Sequence, residues 1–226
     1  MDAPRFRPVA DHAILVEFGE TITDAAHDAV LKLDRALAAH PFEGFNEAIP
    51  AFVNLLVDFD PLITDHDRVE AALHHLLAMP AAAVAKGQMR EVLVCYEGAF
   101  GQDLKEVATR TGLSEEAVIN AHLSGDYKVF MYGFAPGYAY LAGVPNIIQL
   151  PRKPSPIRDI DAGAVMIASA QCLVTTLIMP TGWWIIGRSP TRILTDDPVR
   201  PFLFDVGDQV RFRRISLAEF DIAGGL

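Results

Sequence analysis

Tyr132-Gly-Phe-Ala-Pro-Gly-Tyr-Ala-Tyr-Leu141 is the stretch from which the architecture can be read outward. Pro136-Gly137 suits the central positions of a type II turn, because proline presets φ and glycine accepts a positive φ. Phe134, Tyr138 and Tyr140 crowd around that turn. They support two readings: walls of a concave ligand site with hydroxyl handles, or a packed hairpin tip. From Tyr127 onward helical periodicity is absent. Short runs rich in Val, Ile, Phe and Thr, at 127–132, 164–168, 172–178, 183–186, 202–204 and 209–215, alternate with Pro and Gly. Short strands at this spacing predict a barrel or a sandwich.

Upstream, the pattern changes. Residues 91–96 read as a strand. Asp103 with Glu106 three residues on comes close to a capping box, and Gly112 ends the helix that follows. Ser114 caps the next helix, with Glu115 and Glu116 suited to its positive N-terminal dipole, and that helix ends near His122 or Gly125. Residues 80–87, Ala-rich and then Lys-Gly, read as a linker. Before it, residues 13–19 form a strand closed by a glycine turn. Thr23 caps a helix with Ala26, Val30, Leu33 and Leu37 on one face. Residues 47–59, interrupted by Pro50, read as two short strands or one with a bulge. A second helix runs from about Asp67 to Met79. The order β-α-β-β-α predicts a compact α+β module with its helices on one face of a small antiparallel sheet. The chain is therefore expected to form an α+β protein of two domains, 1–84 and 85–226.

Composition bounds the function. With 51% hydrophobic and 21% charged residues, a packed core is expected rather than disorder. A net charge of −10 without a Lys/Arg cluster argues against nucleic acid. Arg211, Arg213 and Arg214 read as a solvated strand face. Cys95 and Cys172 lie far apart without a CxxC spacing, which points to a reducing compartment. Residues 1–8 lack the basic-then-apolar pattern of a secretory signal, and no apolar run reaches the ~18 residues of a membrane span. A soluble, cytoplasmic protein is expected.

Nucleotide-loop, zinc-protease and serine-hydrolase signatures are absent. His74 and His75 are adjacent and point to different helix faces, so no metal is expected. His122, the one histidine after residue 80, has two readings: a helix C-terminal residue meeting the dipole, or a proton-transferring group facing a pocket. Residues 151–158, Pro-Arg-Lys-Pro-Ser-Pro-Ile-Arg, are rigid and basic, so Arg152 and Arg158 are suited to a carboxylate unless the loop is merely solvated. Arg188 follows an apolar run and needs an ion pair or an anionic ligand. Gln171 and Cys172 lie between apolar runs, and Cys172 reads as structural.

Taken together these residues resemble a known family: subunit 1 of allophanate hydrolase-type proteins, also described as the B subunit of bacterial 5-oxoprolinase and as the sporulation kinase inhibitor KipI. The resemblance spans nearly the whole chain. It runs through Phe18-Gly19, Pro50-Ala51-Phe52 and Asp60-Pro61, then Val94-Cys95-Tyr96, Asp103-Leu104 and His122. Its most specific block is Gly133-Phe134-Ala135-Pro136-Gly137-Tyr138 with Tyr140-Leu141, followed by Gln171 and residues 180–190. The resemblance implies a C-terminal cyclophilin-like β-barrel beside the small α+β domain. It implies a subunit 2, or C-type, partner of similar barrel architecture that shares a ligand cleft, and a third, A-type subunit. The implied activity is ATP-dependent opening of 5-oxoproline to glutamate, with ATP used by the complex and no cofactor in this chain. Kinase inhibition without catalysis, or a carboxyltransferase or allophanate hydrolase component, are the alternatives it carries. Under this resemblance His122 and Arg188 are the catalytic residues expected. Phe134, Pro136, Gly137, Tyr138, Tyr140, Arg152 and Gln171 are expected to bind a small carboxylate or cyclic amide. The sequence departs from the family between 157 and 176. A second Pro-Arg pair is replaced by Pro156-Ile157, and a Gly-Gly-Gln-Thr-Gly-Ile-Tyr-Pro run appears as Ser169-Ala-Gln-Cys-Leu-Val-Thr-Thr176.

Overall fold

The computed structural model describes residues 3–79 and 87–224. The chain divides into two compact units, Met1–Ala85 and Lys86–Leu226. The expected linker falls mostly on residues 80–86, outside the described residues.

The first unit is a four-stranded antiparallel sheet ordered β1-β2-β4-β3, from β1 (Arg5–Val9), β2 (Ala13–Glu17), β3 (Phe45–Pro50) and β4 (Asn54–Phe59). Helices α1 (Asp24–Ala39) and α2 (His66–Ala78) carry the apolar faces that the periodicity predicted. Val30, Leu33 and Leu37 of α1 and Val69, Leu73 and Leu76 of α2 bury against Ile14, Val16, Leu55, Val57 and Phe59. Thr23 caps α1 through its hydroxyl, 3.2 Å from the Ala26 amide, as its sequence position indicated. The cap of α2 is Asp65, two residues before the expected start. The 47–59 segment resolves into two strands, β3 and β4. The order is β-β-α-β-β-α, because β1 was not foreseen: it is a largely exposed edge strand, where Pro8 is tolerated and no apolar alternation is needed.

The second unit is built on a seven-stranded sheet ordered β12-β9-β10-β7-β6-β13-β5. Its strands are β5 (Met89–Val94), β6 (Tyr127–Tyr132), β7 (Ala139–Ala142), β9 (Ala164–Ala168), β10 (Gln171–Val174), β12 (Trp184–Arg188) and β13 (Gln209–Arg214). Neighbours pair antiparallel except β13 with β5. The two outer strands meet through an antiparallel bridge, in which Cys95 and Arg188 exchange backbone hydrogen bonds of 2.8 Å each way. This bridge closes the sheet into a cyclophilin-like β-barrel. Gly187 permits the approach, since a Cβ there would lie 2.8 Å from Val94 Cγ1 and 2.9 Å from the Cys95 carbonyl oxygen.

Every barrel strand sends residues into one core. Val92, Val129, Leu141, Ile167, Cys172, Ile186 and Phe212 meet there with Leu104 and Val107 of α3 (Leu104–Thr111) and Val118 and Ile119 of α4 (Glu115–Leu123). The alternate residues Tyr138, Ala164, Met166, Ala168, Leu173 and Ile185 face outward. They form a second cluster with Trp183, covered by the short pair β8 (Ile157–Ile160) and β11 (Met179–Thr181). A last helix, α5 (Leu217–Ile222), begins at a capping box between Ser216 and Glu219.

Three sequence expectations are corrected here. The run 172–178 is a strand only to Val174; the Thr175 hydroxyl that follows accepts from the Ala164 amide and donates to the Asp161 carbonyl, each at 2.8 Å. Residues 202–204 contribute one bridge, Leu194 to Phe202, and no strand. Asp103 does precede α3, but its carboxylate makes no cap. It accepts the Ile185 amide at 2.7 Å and pairs with Lys153 instead.

Candidate functional site

Strand alternation decides which polar groups can meet a ligand. Residues opposite one another in the sheet share a face, so register assigns each to the barrel interior or its outside. Gln171 opposes Ala168 and therefore points outward. Arg188 should point inward by simple alternation from Trp184 and Ile186. A bulge prevents this: Ile185 opposes Met166, but Gly187 opposes Val165 and Arg188 opposes Ala164. The extra residue reverses the alternation, turning Gly187 inward and Arg188 outward.

Arg188 consequently lines an open pocket of about 140 Å³, with Phe100, Gln102, Asp159, Asp161, Ala164 and Ile185 among its neighbours. Its Nη1 lies 3.2 Å from Asp161 Oδ2, and its guanidinium lies over the Phe100 ring at 5.5 Å. The side chain is 20% exposed, enough to reach a ligand while backed by protein. Gln102 and Asp159 carry no local motif, and chain folding alone brings them here.

The aromatic residues form a continuous series on the same outward face. Phe134 meets Tyr138 at 5.4 Å, Tyr138 meets Tyr140 at 5.4 Å, and Tyr140 meets Trp183 at 5.9 Å. The turn is as the sequence indicated: the Tyr138 amide donates to the Ala135 carbonyl at 3.1 Å, and Gly137 has φ +70°. A Cβ on Gly137 would lie 2.7 Å from Leu194 Cδ2. Phe134 itself holds φ +69°, sparsely populated for a bulky residue, and is 71% exposed. Pro136 is exposed and its carbonyl accepts the Thr176 hydroxyl at 2.8 Å. Burial raises the Tyr138 phenol above its usual range, with Tyr140 adding to the effect and Arg152 opposing it.

The basic loop is anchored rather than merely solvated. Its Pro151 carbonyl accepts the Trp184 indole N–H at 2.7 Å, and the Lys153 amide donates to Gly182 at 2.7 Å. Arg152 lies over Trp183 at 5.5 Å, whereas Lys153 lies over Trp184 at 5.4 Å. Adjacent cations thus grip adjacent indoles. Arg158, on β8, is exposed and is not among the residues lining the Arg188 pocket.

His122 is elsewhere, and its expected proton-transfer role meets a physical obstacle. It is fully buried in the barrel interior, with Nδ1 2.8 Å from the Tyr96 hydroxyl and Nε2 3.5 Å from Cys172 Sγ. Phe212 and Tyr127 flank its ring at 4.5 and 5.3 Å. Burial depresses its pKa to about 3, so the imidazole is neutral near pH 7 and the dipole reading, which needs the cation, fails as well. The Tyr96–His122–Cys172 contacts were not foreseen, because residues 96, 122 and 172 are brought together only by barrel closure. Burial also raises the Cys172 thiol, which is structural as read from the sequence. Both cysteines are free and buried. Among the described residues no cluster of His, Cys, Asp or Glu could hold a metal ion, and no helix is long and apolar enough to cross a membrane.

Comparison with known proteins agrees with this architecture. Residues 4–204 match the carboxyltransferase domain, subdomain C and D. The chain is 36% identical over 223 residues to the 5-oxoprolinase B subunit of Bacillus subtilis, covering 94% of this chain and 93% of that one. It is 33% identical to the 5-oxoprolinase B subunit of Escherichia coli O157:H7, covering 94% and 96%. Among solved structures, the protein TTHA0988 superposes with a TM-score of 0.81 at 35% identity, over 91% of this chain but 40% of that longer one. The chain therefore belongs to the carboxyltransferase domain family, subdomain C and D.

Proposed function

We propose that the chain is the B-type subunit of a 5-oxoprolinase complex that opens the cyclic amide 5-oxoproline to glutamate at the expense of ATP. The observation that carries this reading is the end-to-end match to curated 5-oxoprolinase B subunits. The pocket fits it chemically. Arg188 supplies a fork for the carboxylate of a small substrate, a pairing that is both directional and charge-assisted. Arg152, Gln171, Phe134, Pro136, Gly137, Tyr138 and Tyr140 do not line that pocket; in this reading they meet the substrate or the partner subunit from the neighbouring surface.

Amide opening gathers negative charge on the carbonyl oxygen, and donors aimed at that atom supply much of the rate. Among the described residues lining the Arg188 pocket there is no histidine, and His122 is sealed in the core. In this reading the chain binds and orients, while a C-type partner and a third, A-type subunit complete the site and bring ATP, in the cytoplasm. That TTHA0988 carries this fold as 40% of its length supports a role beside further domains.

The test is to co-purify the chain with its C- and A-type partners and follow ATP-dependent release of glutamate from 5-oxoproline. No release by the complete complex sinks the activity. Full activity with Arg188→Ala sinks the site while leaving the activity. Inhibition of a histidine kinase by the chain alone would favour the KipI-like alternative.

A further inference from the structure

Arg188 does not sit in a simple anion site. Among the described residues, two carboxylates, Asp159 and Asp161, and the Gln102 amide line the pocket together with this cation. The side chain of Asp161 touches the guanidinium through one oxygen at 3.2 Å and is 62% exposed, so the pair is solvated and weak. Its backbone, by contrast, is fixed: the Asp161 carbonyl accepts the Thr175 hydroxyl, which in turn accepts the Ala164 amide, each at 2.8 Å. Asp161 is thus a carboxylate on a rigid mount, with lone pairs to spare, at the mouth of the pocket. The guanidinium has five N–H donors, so it can hold Asp161 and a ligand carboxylate together.

These charges make opposite demands of a ligand. A plain carboxylate gains Arg188 but meets the field of two negative groups. A carboxylate with an N–H one or two bonds away gains Arg188 and a second charge-assisted hydrogen bond. We infer that Asp161 is a specificity-determining residue: it accepts the N–H of a ligand whose carboxylate rests on Arg188. The pocket thereby selects lactam acids and amino acids over carboxylates that lack an N–H. This inference rests on the reading of the pocket as a substrate site.

Calorimetric titration of the chain assembled with its C- and A-type partners, without ATP, with two probes separates the two claims. The probes are 5-oxoproline and 5-oxotetrahydrofuran-2-carboxylate, which keeps ring, carbonyl and charge but replaces N–H with oxygen. Wild type is expected to favour the lactam by about tenfold, the scale of one such hydrogen bond. Asp161→Ala should abolish the preference, chiefly by weakening the lactam, and Asp161→Asn, a neutral acceptor, should restore part of it. An unchanged preference in Asp161→Ala overturns the inference and leaves the pocket standing. If neither probe binds wild type, or if Arg188→Gln binds both as well as wild type does, the pocket reading itself falls and the inference with it.

Discussion

The two faces of one sheet treat polar side chains in opposite ways. Inside the barrel, Tyr96, His122 and Cys172 are linked to one another, wholly enclosed and held neutral. Outside, the ionic side chains of Arg188, Asp161 and Arg152 reach solvent, with Asp161 beside Arg188, Phe100 under its guanidinium and Trp183 under Arg152. The difference follows from desolvation. A buried group keeps its charge only with strong compensation, and the barrel interior offers His122 rings and a thiol rather than carboxylates. Interior polarity therefore serves the fold, and exterior polarity is free to serve a ligand.

Arg188→Ala should give the largest effect and is the sharpest way to break that contrast. Loss of kcat/KM in the assembled complex by roughly two orders of magnitude is expected, about 3 kcal/mol of lost interaction with the bound carboxylate. Its ion pair with Asp161 is solvent-facing, and loss of the Phe100 stack adds to it, so stability should fall by about 1–2 kcal/mol in a urea titration. A large stability loss with unchanged kinetics would assign Arg188 to the fold.

His122→Leu should do the reverse. The Tyr96 hydroxyl loses its hydrogen-bond partner in a sealed core, so a loss of about 2–3 kcal/mol in urea unfolding is expected. The pH dependence carries the sign. His122 has a folded-state pKa of about 3 against 6.5 when exposed, so the unfolded chain takes up the proton first on acidification. Its contribution is whole above pH 6.5 and is lost as pH falls toward 3, at up to about 1.4 kcal/mol per pH unit. Unfolding midpoints measured between pH 4.5 and about 8 should fall more gently on the acid side in the variant than in wild type. Equal slopes would mean that His122 is not buried neutral.

Gly187→Ala tests what divides the two faces. The new methyl would sit 2.8 Å from Val94 Cγ1 and 2.9 Å from the Cys95 carbonyl, against backbone that closes the barrel. Overpacking of this kind costs about 1–3 kcal/mol. Amide exchange at Cys95 and Arg188, whose N–H groups form the closing bridge, should accelerate. Unchanged exchange there would show that the bridge does not depend on the glycine.

Much of this contrast was open to reading in advance, and the reason for the remainder is physical. The type II turn at Pro136-Gly137 and the strand at residues 127–132 were legible because turn chemistry and β-rich runs are local. Ser216-Leu-Ala-Glu219 is a capping-box signature too, and α5 was overlooked despite it. Edge strand β1 gave no signal, since an exposed edge does not require alternation. The site was less legible. Arg188 stands out by following an apolar run, but its outward direction depends on a bulge that reverses alternation at Gly187. Asp159, Asp161 and Gln102 reach the pocket through tertiary pairing alone. His122 misled because its position near a helix end fits an exposed role, whereas barrel closure places Phe212 and Cys172 around it.

Arg213→Ala should give the smallest effect, and it sharpens the contrast from the other side. Arg213 is also an outward arginine on a barrel strand with a carboxylate partner, Glu91 Oε1 at 3.1 Å. It differs from Arg188 in its surroundings. Its side chain is 49% exposed, it does not line the pocket, and β13 emerges there as a solvated face. Exposed pairs of this kind contribute about 0–1 kcal/mol, so stability should fall by less than about 0.5 kcal/mol and activity should not change. If charge on the barrel exterior were enough to bind the substrate, Arg213→Ala would lower kcat/KM in the complex as Arg188→Ala does. An unchanged rate beside a crippled Arg188 variant would show that the pocket, with Phe100 behind the guanidinium and Asp161 beside it, gives an outward arginine its role.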